Sequence, residues 1–392
     1  MKYVLVLGRD EILSFAEIIV YLKNRNIEFK VEAREKNAVL ISSDFNPKKL
    51  MHDLGGTVKI AEVMFEGKNF DEIAGQIERK ELIEWMNEKF CFALSFYGKE
   101  TKRKRETEEF FKEKFKEHKK KALYRKAKKR GENISPSQIY SWNLIEENSD
   151  FVFFNSNKIF FGYTITCFNP KELKKRDVER PAQKELHSIS LRLARILINL
   201  SGTKENQTLL DPFCGIGSVL QEAMFNGINA LGIELDEKTA GMARKNLSWF
   251  EKKYKIEKKW VVIQGDSAFV KETLQGKNFD GIASEPFLGP LLKKISKEKE
   301  AKKIIHDLGQ LYFAFFRKLA LITKKQKIAI ILPAVKCSNG KTIDLPETVF
   351  NQNFNSVNPI KEFQEKAFPY SYMEKESRIG RKIYILERKE KN

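Results

Sequence analysis

The sequence predicts an α/β protein in two halves: a doubly wound, mostly parallel sheet over residues 187–392, preceded by an α+β half. Three observations carry this. Past residue 186, short apolar runs alternate with helical patterns, as parallel strands with helices on both faces require. Before residue 66 the order reads strand, helix, strand, strand, helix, strand, a ferredoxin-like arrangement. Between these regions, residues 99–130 hold 16 Lys or Arg against 6 Glu, a sharp break in composition.

In chain order, residues 3–7 form a β-rich apolar run. Over 11–22, Ile12, Phe15, Ala16, Ile19 and Val20 recur at helical spacing. Residues 29–31 and 38–41 read as strands. Asn46-Pro47 opens a helix with Pro in its first turn, ending at Gly55-Gly56, and 58–65 is another strand. A helix is expected over 71–90 and a strand over 91–97. A single long basic helix should follow, with Phe110, Phe111, Phe115, Ala122 and Leu123 as its buried stripe. Strands at 151–154 and 159–167 close the first half. Residues 168–186, with Asn169-Pro170 and Arg180-Pro181, read as a linker. Strands then recur at 208–213, 230–235, 261–265, 281–284 and 328–332, with a last one at 383–386. The expected units are therefore 1–66, 67–167, the linker 168–186, and 187–392.

Composition narrows the function. The chain of 392 residues is 42% hydrophobic, enough for sizeable cores. Lys plus Arg is 72 and Asp plus Glu 53, a net charge of +19, which points to a polyanionic partner, nucleic acid before anionic membrane. No apolar run approaches the roughly 18 residues of a membrane span, and Met1-Lys2-Tyr3 has no secretory layout. Cys91, Cys167, Cys214 and Cys337 make no CxxC pair, and His52, His118, His187 and His306 no HExxH. A reduced, cytoplasmic and metal-free protein is expected. In the basic stretch Glu is too scarce for full i, i+4 pairing. Lys102, Arg103, Lys104, Arg105, Lys119, Lys120, Lys121, Arg125, Lys128, Lys129 and Arg130 are therefore candidates for binding RNA.

The strongest motif runs Leu209-Leu210-Asp211-Pro212-Phe213-Cys214-Gly215-Ile216-Gly217-Ser218, where a first strand turns into a helix. Its glycines let a ligand approach the backbone, and the helix N-terminus offers free N–H groups. Leu220 stands where a dinucleotide fingerprint has its third Gly, and no Gly-Lys-Ser/Thr follows, so a pyrophosphate is disfavoured. Glu234, followed by Leu235, ends the second strand, placed to take both hydroxyls of a ribose. Asp266, followed by Ser267, ends the third, placed to accept from an adenine amine. Ribose and adenine without pyrophosphate fit S-adenosylmethionine.

The fourth strand ends in Ser284-Glu285-Pro286-Phe287, followed by Leu288-Gly289-Pro290. Ligands of open α/β sheets lie beyond the carboxyl ends of the strands, so this loop should face the methyl group. It resembles the (D/N/S)PP(Y/F) motif of methyltransferases acting on exocyclic amines of bases. Such an amine is a weak nucleophile; acceptors at its N–H groups localise the lone pair, and an aromatic face holds the extruded base. Two registers fit. In the favoured one Ser284 and nearby carbonyls meet the amine and Phe287 stacks; in the other Glu285 does the work.

On these residues, together with "VLGRDEILSFAE", "FALSFYG", "IFFGYTIT", "KKRDVERPAQ" and "LARILINLSG", the chain resembles the THUMP-domain RNA methyltransferases. Within them it is most similar to the two-part enzymes that methylate N2 of guanine 10 in tRNA. The resemblance implies a class I Rossmann-like methyltransferase fold behind a ferredoxin-like and THUMP half that grips the tRNA acceptor end. It implies that Asp211, Gly215 and Gly217 line the methionine part, that Glu234 takes the ribose and Asp266 the adenine, and that Ser284 to Phe287 meet the amine; Pro212, Phe213, Cys214, Leu235 and Ser267 are further cofactor-binding candidates beside them. A monomeric chain is expected, with a small activating subunit as a further candidate partner. The same chemistry on rRNA or at another tRNA position, a non-catalytic THUMP-containing RNA-binding protein, and a DNA amine methyltransferase are the alternatives. "SEPF" and the "HSISLRLA" of residues 187–194 depart from the family pattern.

Overall fold

The computed structural model describes the chain apart from residues 101–102, 130, 184–188, 366, 373–376 and 391–392. Lys102, Arg130 and His187 therefore lie outside the described residues. Two compact units emerge, one of Met1–Phe15 with Asn26–Lys175, the other of Ala16–Arg25 with Arg176–Asn392.

The first part of the chain runs β1 (Lys2–Leu7), α1 (Glu11–Asn24), β2 (Phe29–Glu35), β3 (Ala38–Ser43), α2 (Pro47–Asp53), β4 (Thr57–Gly67), α3 (Phe70–Arg79), β5 (Lys89–Gly98), α4 (Lys104–Glu117), β6 (Lys121–Tyr124), α5 (Pro136–Ser141), β7 (Asp150–Asn155) and β8 (Ile159–Cys167). The expected βαββαβ order is present, and its strands continue into one eight-stranded sheet, β2-β3-β1-β4-β8-β7-β5-β6. The segments 1–66 and 67–167 thus share a sheet through the β4–β8 pairing. A Phe-rich core under the later strands includes Phe92, Phe111, Phe115 and Phe151.

Two sequence expectations fail here for local reasons. The helix expected over 71–90 stops at Arg79, because Glu81 takes a left-handed φ of 53° and Leu82 and Ile83 turn into the core. The single basic helix is only α4. Lys119 adopts φ 55°, and the N–H groups of Lys119 and Lys120 close onto the carbonyls of Lys116 and Phe115, a Schellman stop. The chain then forms β6, parallel to β5, which stacks Tyr124 on Phe92 at 5.0 Å and leaves Leu123 exposed. Hence Ala122 and Leu123 are not part of the helix stripe, which is Thr107, Phe111 and Phe115 at i, i+4 spacing.

The second part runs α6 (Pro170–Val178), α7 (Leu191–Leu200), β9 (Thr208–Asp211), α8 (Ser218–Phe225), β10 (Asn229–Glu234), α9 (Glu237–Tyr254), β11 (Trp260–Gln264), α10 (Val270–Leu274), β12 (Gly281–Ser284), α11 (Glu298–Leu319), β13 (Ile328–Lys336), β14 (Thr342–Asp344), β15 (Phe354–Ser356), β16 (Tyr370–Tyr372) and β17 (Ile379–Arg388). The sheet order is β11-β10-β9-β12-β13-β17-β15, with β14 on β13 and β16 on β17. The first five are parallel, as the alternating pattern predicts, and β17 adds an antiparallel edge. The doubly wound fold is therefore as the sequence implies.

The stretch read as a linker is largely structured. Arg176 and Arg180 are nearly buried, 4% and 5% exposed. Arg176 and Arg195 both ion-pair with the fully buried Glu222 of α8, at 3.1 and 2.5 Å, and both guanidinium groups lie against the Phe225 ring. Arg180 donates to the Ser218 hydroxyl at 2.7 Å, at the first residue of α8. Burial alone would raise the pKa of Glu222; the two arginines outweigh it and hold the carboxyl below its ordinary range.

Candidate active site

The site is built at the carboxyl ends of the parallel strands. After β9 the chain must reverse into α8 within a few residues. Gly217 makes the turn at φ 89° as the N-cap of α8, a conformation costly for any residue with a side chain. Gly232 on β10 serves closeness instead: a Cβ there would meet Leu220 Cδ1 at 2.6 Å and Cys214 Sγ at 2.8 Å. The loop can therefore lie directly on β10.

Glu234 ties the loops together. Its Oε2 accepts from the Gly215 N–H at 3.0 Å and its Oε1 from the Asp236 N–H at 3.1 Å. A carboxylate has about four acceptor positions, so the backbone leaves two of them for a ligand. Asp266 follows β11, and its Oδ1 accepts from the Ala268 N–H at 2.8 Å, capping a short turn. Ser267 donates to the Pro212 carbonyl, joining the β9 and β11 loops.

A cavity of about 400 Å³ opens over these ends. Pro212, Phe213 and Gly215 line it from the first loop, Glu234 and Leu235 from the second, Asp266 and Ser267 from the third. Glu285, Pro286 and Phe287 line it from the loop after β12. Leu235 and Phe287 are 63% and 55% exposed, apolar faces offered to whatever enters. Ile216, Leu288, Leu311 and Arg381 complete the wall. None of these four was a candidate site residue; Ile216 and Leu288 lie inside the motifs quoted above, while nothing in the sequence singled out Leu311 or Arg381.

Four predicted residues take other positions. Asp211, Cys214, Gly217 and Ser284 are not among the cavity residues. Asp211 and Ser284 end the adjacent strands β9 and β12, and the Ser284 hydroxyl donates to Asp211 Oδ1 at 2.6 Å. The Phe213 N–H donates to the same oxygen at 3.1 Å. Ser284 is fully buried, so the register that puts its hydroxyl on the target amine is not the one the geometry favours. Its job is to hold Asp211, and Asp211 in turn fixes the first loop. The carboxylate that reaches the cavity is Glu285, to which Arg381 Nε donates. Arg381 arrives from β17 through its pairing with β13. Phe287 is fixed from behind, since its carbonyl accepts from the buried Tyr312 hydroxyl at 2.9 Å.

Burial pushes the Asp211 carboxyl up to about 7, with Glu234 and Glu285 adding to the rise while Ser284 and the Phe213 N–H oppose it. The unfolded chain releases this proton near pH 3.8, the folded one near 7. Over that window the folded state holds more protons, so stability falls as pH rises. Asp211→Asn keeps the acceptor oxygen and removes the titration. Denaturant unfolding from pH 4 to 8 should show the variant gaining up to about 4 kcal/mol on the wild type; a pH-independent difference would contradict the assignment.

Among the described residues no group of three or more His, Cys, Asp or Glu is placed to hold a metal ion, and no helix is long and apolar enough to cross a membrane.

A parallel sheet in this order, with its cavity over the carboxyl ends, is the fold of the Rossmann-like methyltransferases. TrmN from Thermus thermophilus shares it across 99% of this chain and 100% of that one, at a TM-score of 0.55 and 15% identity. The family model described as "RMKL-like, methyltransferase domain" matches residues 178–332, and one described as "DNA methylase" matches 28–245. The chain belongs to the RNA/DNA-methylase family of methyltransferases. It is 31% identical over 156 residues to a "tRNA (guanine(10)-N2)-dimethyltransferase" of Pyrococcus abyssi, covering 40% of this chain and 45% of that protein. It is 33% identical to a "Probable tRNA (guanine(10)-N2)-dimethyltransferase" of Methanothermococcus thermolithotrophicus, covering 33% of this chain and 83% of that one. The chain thus spans less than half the length of the Pyrococcus relative.

Family and fold imply S-adenosylmethionine as the methyl donor, and the residues present fit it. Glu234 keeps two acceptor positions beyond its backbone bonds, as a ribose diol needs. A Cβ at Gly215 would meet nothing within 4 Å, so the backbone there faces open cavity.

Proposed function

We propose that this chain transfers a methyl group from S-adenosylmethionine to the exocyclic N2 of a guanine in tRNA, with position 10 favoured by its relatives. The observation that carries the reading is the Glu285 carboxylate, which shares one cavity with Glu234 and Asp266. When bound, the donor supplies an electrophilic methyl on a sulfonium. Glu234 would hold the ribose, Asp266 the adenine amine, and Leu235 one face of the ring. Glu285 would accept from the target N2–H, drawing the nitrogen lone pair out of the ring. Phe287 would stack on the extruded base. The buried Pro286 fixes the backbone between the two. No strong base is needed before transfer, since the proton leaves readily afterwards.

The part of the chain over 67–167 is proposed as a THUMP domain that binds the tRNA, with 1–66 as its ferredoxin-like neighbour and 187–392 as the catalytic domain. Lys104, Arg105, Lys119, Lys121, Lys128 and Lys129 are exposed and suited to phosphates. Others in the basic stretch already serve the fold. Lys120 donates to the carbonyls of Glu84 and Met86 at 3.2 and 2.6 Å. Arg125 lies over the Trp142 ring at 5.3 Å. Arg103 pairs with Asp71 at 2.9 Å and with Glu106.

Reversing Lys119, Lys121, Lys128 and Lys129 to Glu should weaken tRNA binding at least about 10-fold and flatten its log–log salt dependence by roughly 1 to 3 units. Cofactor affinity should stay unchanged. Undiminished tRNA binding would overturn the basic surface. Parallel incubations of tRNA and rRNA transcripts with labelled donor test the substrate class. Label in tRNA is expected; label in rRNA alone would replace the substrate while leaving the chemistry.

A further inference from the structure

We propose that the catalytic part of the chain carries an RNA contact of its own, formed by residues 291–303, the segment that follows the cavity loop. Leu291 and Ile295 pack on the bases that the extruded guanine leaves behind, and the lysines around them take the flanking phosphates. The inference rests on the tRNA reading and adds how the acceptor base is opened. A base reaches a cavity only if its stack gives it up, and the emptied gap is unfavourable unless an apolar side chain fills it.

The loop after β12 is pinned, yet it presents apolar side chains to solvent. The Phe287 carbonyl is held by Tyr312. Gly289 is buried close to Ile304 and Leu308. Leu292 packs against the core that includes Leu308 and Tyr312. Ser296 is buried, and its carbonyl accepts from the Ser338 N–H at 2.9 Å. Between these anchors Leu291 and Ile295 stay 52% and 50% exposed. A loop free to collapse would bury such side chains, and this one is held so that they remain outside. They are also near the chemistry. Leu288 lines the cavity, and Leu291 follows it by three residues. Three residues of extended chain span at most about 11 Å, the length of roughly three stacked nucleotides. The charge decides what covers them. Residues 293–303 hold six Lys against Glu298 and Glu300. Glu298 pairs with Lys302 and Lys341 at 2.8 and 3.5 Å, and Glu300 accepts from the Lys297 N–H at 3.0 Å. Lys293, Lys294, Lys299 and Lys303 are exposed, and none forms an ion pair among the described residues. An apolar protein surface has no use for that excess of lysine. RNA offers bases and phosphates side by side.

The test uses tRNA transcripts whose acceptor guanine is either paired or left unpaired by a change of the opposite nucleotide. Leu291→Ala with Ile295→Ala should lower kcat/KM on the paired transcript on the order of 10-fold. It should spare the unpaired transcript, because a base already loose needs no wedge. Lys293→Glu with Lys294→Glu should weaken the binding of both transcripts and lower the log–log salt slope by roughly 1 to 2 units. Calorimetry should find donor affinity unchanged in both variants, which reports an intact fold. Equal losses on paired and unpaired transcripts from the alanine pair would overturn the wedge. Unchanged binding and turnover in both variants would overturn the contact altogether and leave Leu291 and Ile295 to a protein partner. A wild type that methylates no tRNA transcript would overturn the tRNA reading and this inference with it.

Discussion

Glu234→Ala should lose most of the affinity for S-adenosylmethionine, a drop of about two to four orders of magnitude by calorimetry. The estimate assumes two hydroxyl hydrogen bonds to a charged acceptor, at roughly 1.5 to 3 kcal/mol each. Glu234→Gln should do nearly as badly, for a reason specific to this fold. Both carboxylate oxygens already accept from backbone N–H groups, of Gly215 and Asp236. An amide would turn one of those contacts into donor against donor and loosen the loop that frames the cavity. Wild-type affinity in Glu234→Gln would show that the carboxylate does not organise the site.

The second large effect is on stability. Glu222→Ala should destabilise the catalytic part by about 3 to 5 kcal/mol, lowering Tm by roughly 10 °C. Removing the carboxylate takes away the buried counter-charge that Arg176 and Arg195 share, beside the Phe225 ring. Arg176 lies in the stretch read as a linker, so this ion pair also ties that residue to α8. Thermal unfolding followed by circular dichroism reads the shift. A change under about 1 kcal/mol would mean that water reaches the arginines and screens them.

The parts of the site visible in the sequence are those made by consecutive residues. Leu209 to Ser218 announces its strand, tight turn and helix N-terminus because the glycines and the local hydrophobic period fix them together. Glu234 and Asp266 follow from the rule that ligands lie beyond strand ends. The roles of Ser284 and Arg381 depend on strand order instead. Ser284 meets Asp211 only because β12 lies next to β9, 73 residues apart in sequence. Arg381 reaches Glu285 across 96 residues, through an antiparallel edge strand that periodicity does not place. The basic stretch misled for a different reason. Its charge and its Phe spacing both suit a helix, whereas the left-handed turn at Lys119 is a choice of backbone closure that lysine does not advertise. The linker misled because charged residues suggest solvent, and here Arg176 is buried against Glu222 and Arg180 against Ser218, both on α8 far along the chain.

The central claim is methyl transfer to guanine N2. Labelled S-adenosylmethionine and unmodified tRNA transcripts, incubated with the full chain and digested to nucleosides, test it directly. The account predicts label in N2-methylguanosine or N2,N2-dimethylguanosine, absent when the acceptor guanine is replaced. Label in any other nucleoside, or none while the donor binds, would contradict it.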